Sequence, residues 1–120
     1  PVEGPRAALE GVVFMGPPRS EGAHLTCVTV YPDGSVDRSP GGCATAAVLA
    51  VLEAMGLVLD DAPFVQETLN GSRFTARVTG RLEVGGVPAI APEVTGTAWI
   101  TGDHVFVIDP GDPFAAGFRL

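Results

Sequence analysis

Between Ala44 and Met55 the chain reads Ala-Thr-Ala-Ala-Val-Leu-Ala-Val-Leu-Glu-Ala-Met, with Glu53 as its only charge. This run predicts a helix, and Gly56 behind it is a natural C-terminal stop. A helix that is apolar almost all round is enclosed on most sides. In a small chain rich in short strands, the simplest enclosure is a curved sheet wrapped around it. The expected class is therefore α+β, with one core and no domain linker.

The remaining pattern is strand and turn, in keeping with 16 Gly and 11 Pro. Gly11 to Met15 and Leu25 to Tyr31 read as strands. Pro32-Asp33-Gly34 supplies a tight turn, with a short strand around Val36. Phe64 to Leu69 is a further strand. Arg73 to Thr79 alternates polar and apolar residues, so one of its faces is wet. Gly85-Gly86 predicts a hairpin between Leu82–Val84 and Val87–Ile90. Val94 to Ile100 and His104 to Ile108 are expected to pair about Thr101-Gly102-Asp103. A turn-rich stretch from Asp109 to Pro113 leads to the ending, Phe114 to Leu120. Trp99 and the phenylalanines are assigned to the core.

Composition excludes several functions. The formal charge is −7, and the seven basic residues, all Arg, do not cluster. Nucleic acid and anionic membrane surfaces both demand a basic face, so neither is an expected partner. With no Lys, the chain cannot form a Schiff base with pyridoxal phosphate or a carbonyl substrate. The two His and two Cys lie far apart in sequence and show no metal-ligand spacing. Cys27 and Cys43 do not suggest a disulfide framework, which points to a reduced, cytoplasmic protein. Nothing reads as a signal peptide, and the longest apolar run is too short for a bilayer. The chain starts at Pro1, which implies a processed start, a trimmed chain or a fragment.

The run Asp37-Arg38-Ser39-Pro40-Gly41-Gly42-Cys43 enters the helix directly. Unpaired amides at a helix start point outward and favour negative charge, so the run is an anion cradle with Asp37 and Cys43 at its lip. This is the substrate end of a candidate active site.

Asp37-Arg38-Ser39-Pro40 before a Gly-rich helix start resembles the C-terminal signature of the proline racemase family. That family comprises proline racemases, hydroxyproline 2-epimerases and trans-3-hydroxyproline dehydratases. Tyr31-Pro32-Asp33-Gly34, Phe64-Val65-Gln66-Glu67, Gly71-Ser72-Arg73-Phe74, Pro92-Glu93-Val94-Thr95-Gly96 and Asp112-Pro113-Phe114-Ala115-Ala116-Gly117-Phe118 also match, in order. The resemblance implies a fold like diaminopimelate epimerase, with the active site between two sheet-wrapped helices. It implies chemistry without cofactor or metal, in which two cysteines flank the substrate α-carbon, one as base and one as acid. It also implies that the chain covers only the C-terminal portion, the other cysteine lying in an N-terminal half that is absent here. The family's C-terminal catalytic cysteine falls at Gly41, which cannot carry a proton. Cys43 stands where Thr is usual, and Ala44 replaces a usual Gly.

Asp37 is assigned to the substrate nitrogen, against the plainer role of a turn acid. Gly42 and the Cys43 amide are assigned to the substrate carboxylate. Tyr31 matches an aromatic position near the substrate ring. Cys43 is either a replacement base or a small residue filling the usual Thr site; the second is favoured, because proton transfer demands hydrogen-bond reach. Cys27 is read as core, and His24 and His104 as structural. The leading expectation is α-proton abstraction on proline or hydroxyproline, with the isolated chain inactive. A missing N-terminal half or second polypeptide would supply the first base, and a homodimer is a further option. The alternatives are a trans-3-hydroxyproline dehydratase-like lyase and a non-catalytic binding or structural subunit.

Overall fold

The structure, a computed structural model, describes residues 9–58 and 62–118. Its elements in chain order are β1 (Val12–Gly16), β2 (Leu25–Val30), α1 (Gly42–Ala54), β3 (Phe64–Glu67), β4 (Arg73–Val84) and β5 (Val87–Thr95). The strands form one sheet in the order β1-β2-β3-β4-β5. Neighbours are antiparallel except β2 and β3, which run parallel with Leu25 opposite Gln66. Parallel strands cannot be joined by a tight turn. Helix α1 lies within that connection and packs on β4 and β5. The α+β class read from the sequence is the class observed.

The helix is apolar on all sides, yet its buried residues keep helical spacing. Thr45, Val48 and Leu49 are buried, and Leu52 packs against the same core. Positions i, i+3, i+4 and i+7 share one face, and this is the face on the sheet. Val48, Leu49, Phe64 and Ala76 form the centre, flanked by Val13, Leu25, Val78, Ile90 and Val94. Val51 in α1 and Met55 just behind it are exposed. The helix begins at Gly42, two residues before the expected Ala44, and ends at Ala54. Its end is a Schellman turn. Gly56, at φ 70°, donates to Glu53 O, while the Leu57 amide donates to Leu52 O at 2.9 Å. Among the described residues, no helix is long and apolar enough to cross a membrane.

The hairpin about Gly85-Gly86 forms as expected, with Val84 opposite Val87. Its arms are longer than expected, however. Arg73–Thr79 and Leu82–Val84 merge into one strand, and the register shifts between Val78 and Gly80. The Thr79 hydroxyl donates to Ala91 O at 2.8 Å beside this irregularity. The strand expected around Val36 is reduced to a single bridge with Val30, and β3 stops at Glu67.

The expected pairing of Val94–Ile100 with His104–Ile108 does not form. Val94 and Thr95 are used as partners of Ala76 and Thr75 at the end of β5. At Gly96 the backbone passes against the Phe74 ring, where a Cβ would lie 2.4 Å from the nearest ring carbon. The chain leaves the sheet there, and residues 96–108 adopt no regular structure. The aromatic core assignment also fails for most residues. Phe64 is buried, but Phe14, Trp99, Phe106, Phe114 and Phe118 are exposed. The reason is that one helix covers one sheet face only. Val13 packs on the core, so its neighbour Phe14 points to the other face. The remaining exposed aromatics lie beyond Gly96. Arg119 and Leu120, in the expected ending, lie outside the described residues.

A buried carboxylate anchors the loop between β1 and β2. Glu67, about 1% exposed, accepts from the Arg19 amide at 2.6 Å and the Ser20 amide at 3.1 Å. The Ser20 and Thr26 hydroxyls also donate to it, and Arg73 approaches at 3.8 Å. The Ser20 hydroxyl, followed by the Arg19 amide, lowers the Glu67 carboxyl to about 2.

Candidate active site

The site is assembled by a tight excursion at the end of β2. Tyr31 and Ser35 close the Pro32-Asp33-Gly34 turn: the Tyr31 amide donates to Ser35 O, and the Gly34 amide to Tyr31 O, both at 2.9 Å. Gly34 takes φ 82°, which a side chain would resist. The chain then returns alongside β2, and the Asp37 amide donates to Thr29 O at 3.0 Å. Asp37 is thereby held next to Tyr31, immediately before the helix.

The Asp37 carboxylate is organised by its own loop. Oδ1 accepts from the Ser39 amide at 3.0 Å and the Ser39 hydroxyl at 3.1 Å. Oδ2 accepts from the Tyr31 hydroxyl at 3.0 Å. The Ser39 amide is the main cause that holds the Asp37 carboxyl below the usual range; partial burial opposes it and the Tyr31 hydroxyl assists. The same bond pushes the Tyr31 phenol up. Asp37 is thus an anion, and an ionised carboxylate has about four acceptor positions, of which three are used here. The free capacity is on Oδ2. A Cβ at Gly41 would lie 3.3 Å from this atom, so the missing Gly41 side chain leaves open space at the carboxylate.

Ser39 has a second task. Its hydroxyl accepts from the Gly41 amide at 3.2 Å, and Gly41, at φ 74°, turns the chain into α1. No side chain caps the helix. The Thr45 amide donates to Gly41 O, but among the described residues the amides of Gly42, Cys43 and Ala44 have no acceptor. These are the orphan donors of a helix start, and the helix dipole adds partial positive charge to them.

Tyr31, Asp37, Ser39, Gly41, Gly42 and Cys43 line one cleft of about 490 Å³, with Glu10, Gly11 and Thr29 on its other wall. The structure therefore brings together all five residues picked from the sequence. Ser39, Thr29 and the β1 approach were not picked. Ser39 was legible: Asp-x-Ser is an Asx-turn pattern, and Asp33-Gly34-Ser35 uses it too, with the Ser35 amide 2.9 Å from Asp33 Oδ1. Glu10 and Gly11 precede β1, whose pairing with β2 brings them to the cleft, and that leaves no local signal.

Cys43 is exposed and Cys27 is buried, and both thiols are free. Cys27 lies outside the cleft lining and accepts from Gln66 Nε2 at 2.6 Å. Burial is the main cause that pushes its thiol up. His24 Nδ1 accepts from the Val65 amide at 2.8 Å, a structural role on the β2–β3 edge. His104 lies in the irregular stretch, tilted against Phe106.

Chemically, the cleft offers an anion beside a cluster of amide donors. An α-amino or imino acid has the complementary pair, an ammonium and a carboxylate on one carbon. The chain belongs to the proline racemase family, whose profile, described as Proline racemase, matches residues 2–119. It is 39% identical over 120 residues to a trans-3-hydroxy-L-proline dehydratase of Bacillus cereus, covering 100% of this chain and 36% of that protein. It is 40% identical over 112 residues to a 4-hydroxyproline epimerase of Brucella ovis, covering 93% of this chain and 34% of that protein. The crystal structure of a hydroxyproline epimerase from Agrobacterium vitis with bound trans-4-OH-L-proline superposes with a TM-score of 0.73 at 35% identity, covering 93% of this chain and 32% of that one. The chain spans about a third of the length of the relatives it matches.

Proposed function

We propose that this chain is the C-terminal portion of an enzyme that abstracts the α-proton of proline or a hydroxyproline without a cofactor. The supporting observation is the pairing of Asp37 with the unpaired amides of Gly42, Cys43 and Ala44 in one cleft. Asp37 Oδ2 takes the imino-acid nitrogen, and the amides take the carboxylate. Removing the α-proton spreads negative charge onto the carboxylate oxygens. Fixed amides at a helix start stabilise that charge as it develops. Tyr31 keeps Asp37 oriented and borders the ring.

Inversion requires an acid and a base on opposite faces of the carbon. Gly41 supplies neither. The first base comes from polypeptide beyond this chain, and Cys43 is the thiol that this chain brings to the cleft. The free thiols of Cys27 and Cys43 suit a reducing compartment.

The side-chain-free Gly41 also favours a second reading, a trans-3-hydroxyproline dehydratase-like lyase. Loss of water after α-proton removal needs one base and a leaving hydroxyl, with no second thiol at Gly41. The test uses this chain joined to the two thirds of the Bacillus cereus relative that it does not span. In D₂O, α-deuterium with inverted product from 4-hydroxyproline supports epimerisation. Water loss from trans-3-hydroxyproline supports the lyase. Binding of the planar analogue pyrrole-2-carboxylate with neither reaction makes the chain a binding module. Absence of binding, with Asp37→Ala indistinguishable from the parent, overturns the site.

A further inference from the structure

We infer that Asn70 is a positioning residue for the candidate active site: it grips the Arg38 carbonyl and, through that peptide group, aims the Ser39 amide at Asp37. Its consequence for a substrate rests on the reading of Asp37 as the contact for the imino-acid nitrogen; the positioning itself does not. Asn70 is not part of the lining of the active-site cleft, so it acts only through the loop. It lies on the turn between β3 and β4, 32 residues from Arg38 in the chain, and its Nδ2 donates to Arg38 O at 2.8 Å.

The turn builds Asn70 for this reach. The Thr68 amide donates to Ser72 O at 2.9 Å and the Gly71 amide donates to Thr68 O at 3.0 Å, which closes the turn. Inside it, Asn70 Oδ1 accepts from the Ser72 amide at 2.9 Å and from the hydroxyl of the buried Thr68. The Ser72 amide can only donate and Arg38 O can only accept, so the Asn70 side chain fits one way round. Held at Oδ1 from two sides, it loses little further rotamer freedom when Nδ2 reaches Arg38. Thr68 Oγ1 also lies 3.4 Å from Arg38 O, but its single proton goes to the closer Asn70 Oδ1. Among the described residues, no backbone amide bonds to Arg38 O, which leaves Asn70 Nδ2 as its donor.

Arg38 O and the Ser39 amide are the two ends of one peptide group. That group is planar, with C=O and N–H on opposite sides, so fixing one end aims the other. Arg38 O faces Asn70, and the Ser39 amide donates to Asp37 Oδ1 at 3.0 Å. A donor on the carbonyl also polarises the peptide and strengthens its N–H as a donor. The Ser39 amide is the main cause that holds the Asp37 carboxyl low, so the relay from Asn70 ends on the charge of the site. Without Nδ2 the peptide group can tilt, and the Ser39 amide loses its aim.

NMR on the chain tests this without substrate, with Asn70→Asp and the uncharged Asn70→Ser. The first keeps the shape and the Oδ1 acceptor but sets an oxygen against Arg38 O. The second keeps an acceptor for the turn and is too short to reach Arg38. In both, the Asp37 titration should move upward toward the usual range, with shift changes at the Arg38 carbonyl carbon and the Ser39 amide nitrogen. An unmoved Asp37 titration in folded Asn70→Ser overturns the proposal. A move in Asn70→Asp alone does so too, because it reports only an added charge. Should neither variant fold, the parent decides: a coupling across the hydrogen bond, between Asn70 Nδ2 and the Arg38 carbonyl carbon, supports the proposal, and its absence refutes it. In the joined polypeptide described above, Asn70→Ser should weaken pyrrole-2-carboxylate binding about two- to tenfold, the worth of one hydrogen bond. A moved titration with unchanged binding leaves the positioning standing and removes only Asp37 as the ligand contact.

Discussion

The Tyr31 hydroxyl donates to Asp37 Oδ2 at 3.0 Å, tying the end of β2 to the loop that opens α1. That bond favours the ionised carboxylate, as does the stronger influence of the Ser39 amide. A carboxyl held low in the folded state stabilises the fold at pH above its unfolded value. The contribution is lost as pH falls through the folded value. Tyr31→Phe should therefore move the Asp37 titration upward, toward the usual range, as read by carboxyl ¹³C NMR. Pyrrole-2-carboxylate binding by the joined polypeptide should weaken severalfold, because Asp37 loses its orienting donor. An unmoved titration would mean that Ser39 alone sets the carboxylate.

Glu67 gives the clearest acid dependence. Its carboxyl lies at about 2 in the folded chain, against an ordinary 4.5, chiefly because of the Ser20 hydroxyl. Because the folded value is depressed, its contribution is complete above about 4.5 and disappears as pH falls toward 2. Glu67→Gln should lower the thermal midpoint at pH 7 by several degrees and flatten the midpoint-versus-pH curve between these limits. Scanning calorimetry at a series of pH values checks both. A parallel curve for the variant would assign the acid sensitivity to another carboxylate.

Gly41 combines φ 74° with close neighbours, Asp37 Oδ2 at 3.3 Å and Ala44 Cβ at 3.4 Å from a Cβ built there. An L side chain at left-handed φ costs roughly 1–2 kcal/mol. Gly41→Ala should destabilise the chain by about that amount in urea unfolding, and Gly41→Cys should do so as well. If the resemblance is right that a thiol stands here in the family, Gly41→Cys alone should therefore not supply a second acid unless the loop changes shape. A Gly41→Cys variant as stable as the parent would show that the loop adapts freely.

The helix and its stop were legible because their signals are local: a run of helix formers and then Gly56. The hairpin at Gly85-Gly86 was legible for the same reason. Asp37, Gly41, Gly42 and Cys43 fall within the one segment 37–43, so the candidate site could be read from it, and Tyr31 from the turn before it. What could not be read was long-range. Val94 and Thr95 extend β5 because β4 runs on past a bulge at Thr79, and nothing near Val94 announces that partner. The run Val105–Ile108 has strong strand chemistry, yet it pairs with no strand of this sheet. Local propensity predicted a strand there, and the chain forms none. The aromatic core assignment failed similarly, since Phe14 lies on the sheet face that the helix does not cover and Trp99 lies beyond the sheet, both exposed.

The two cysteines should differ sharply in reactivity. Cys43 lies exposed in the first turn of α1, at the mouth of the cleft. Cys27 is about 1% exposed, bonded to Gln66 Nε2, with its thiol pushed up mainly by burial. The thiolate is the reactive form, and access limits its attack. Under native conditions iodoacetamide should modify Cys43 alone, with Cys27 labelled only after denaturation, as read by peptide mass spectrometry. Pyrrole-2-carboxylate should slow Cys43 labelling in the joined polypeptide, because a ligand on the Gly42 and Cys43 amides covers the thiol. Asp37→Ala should abolish that protection while leaving Cys43 reactive. Protection that survives Asp37→Ala would place the ligand on the helix amides without help from the carboxylate.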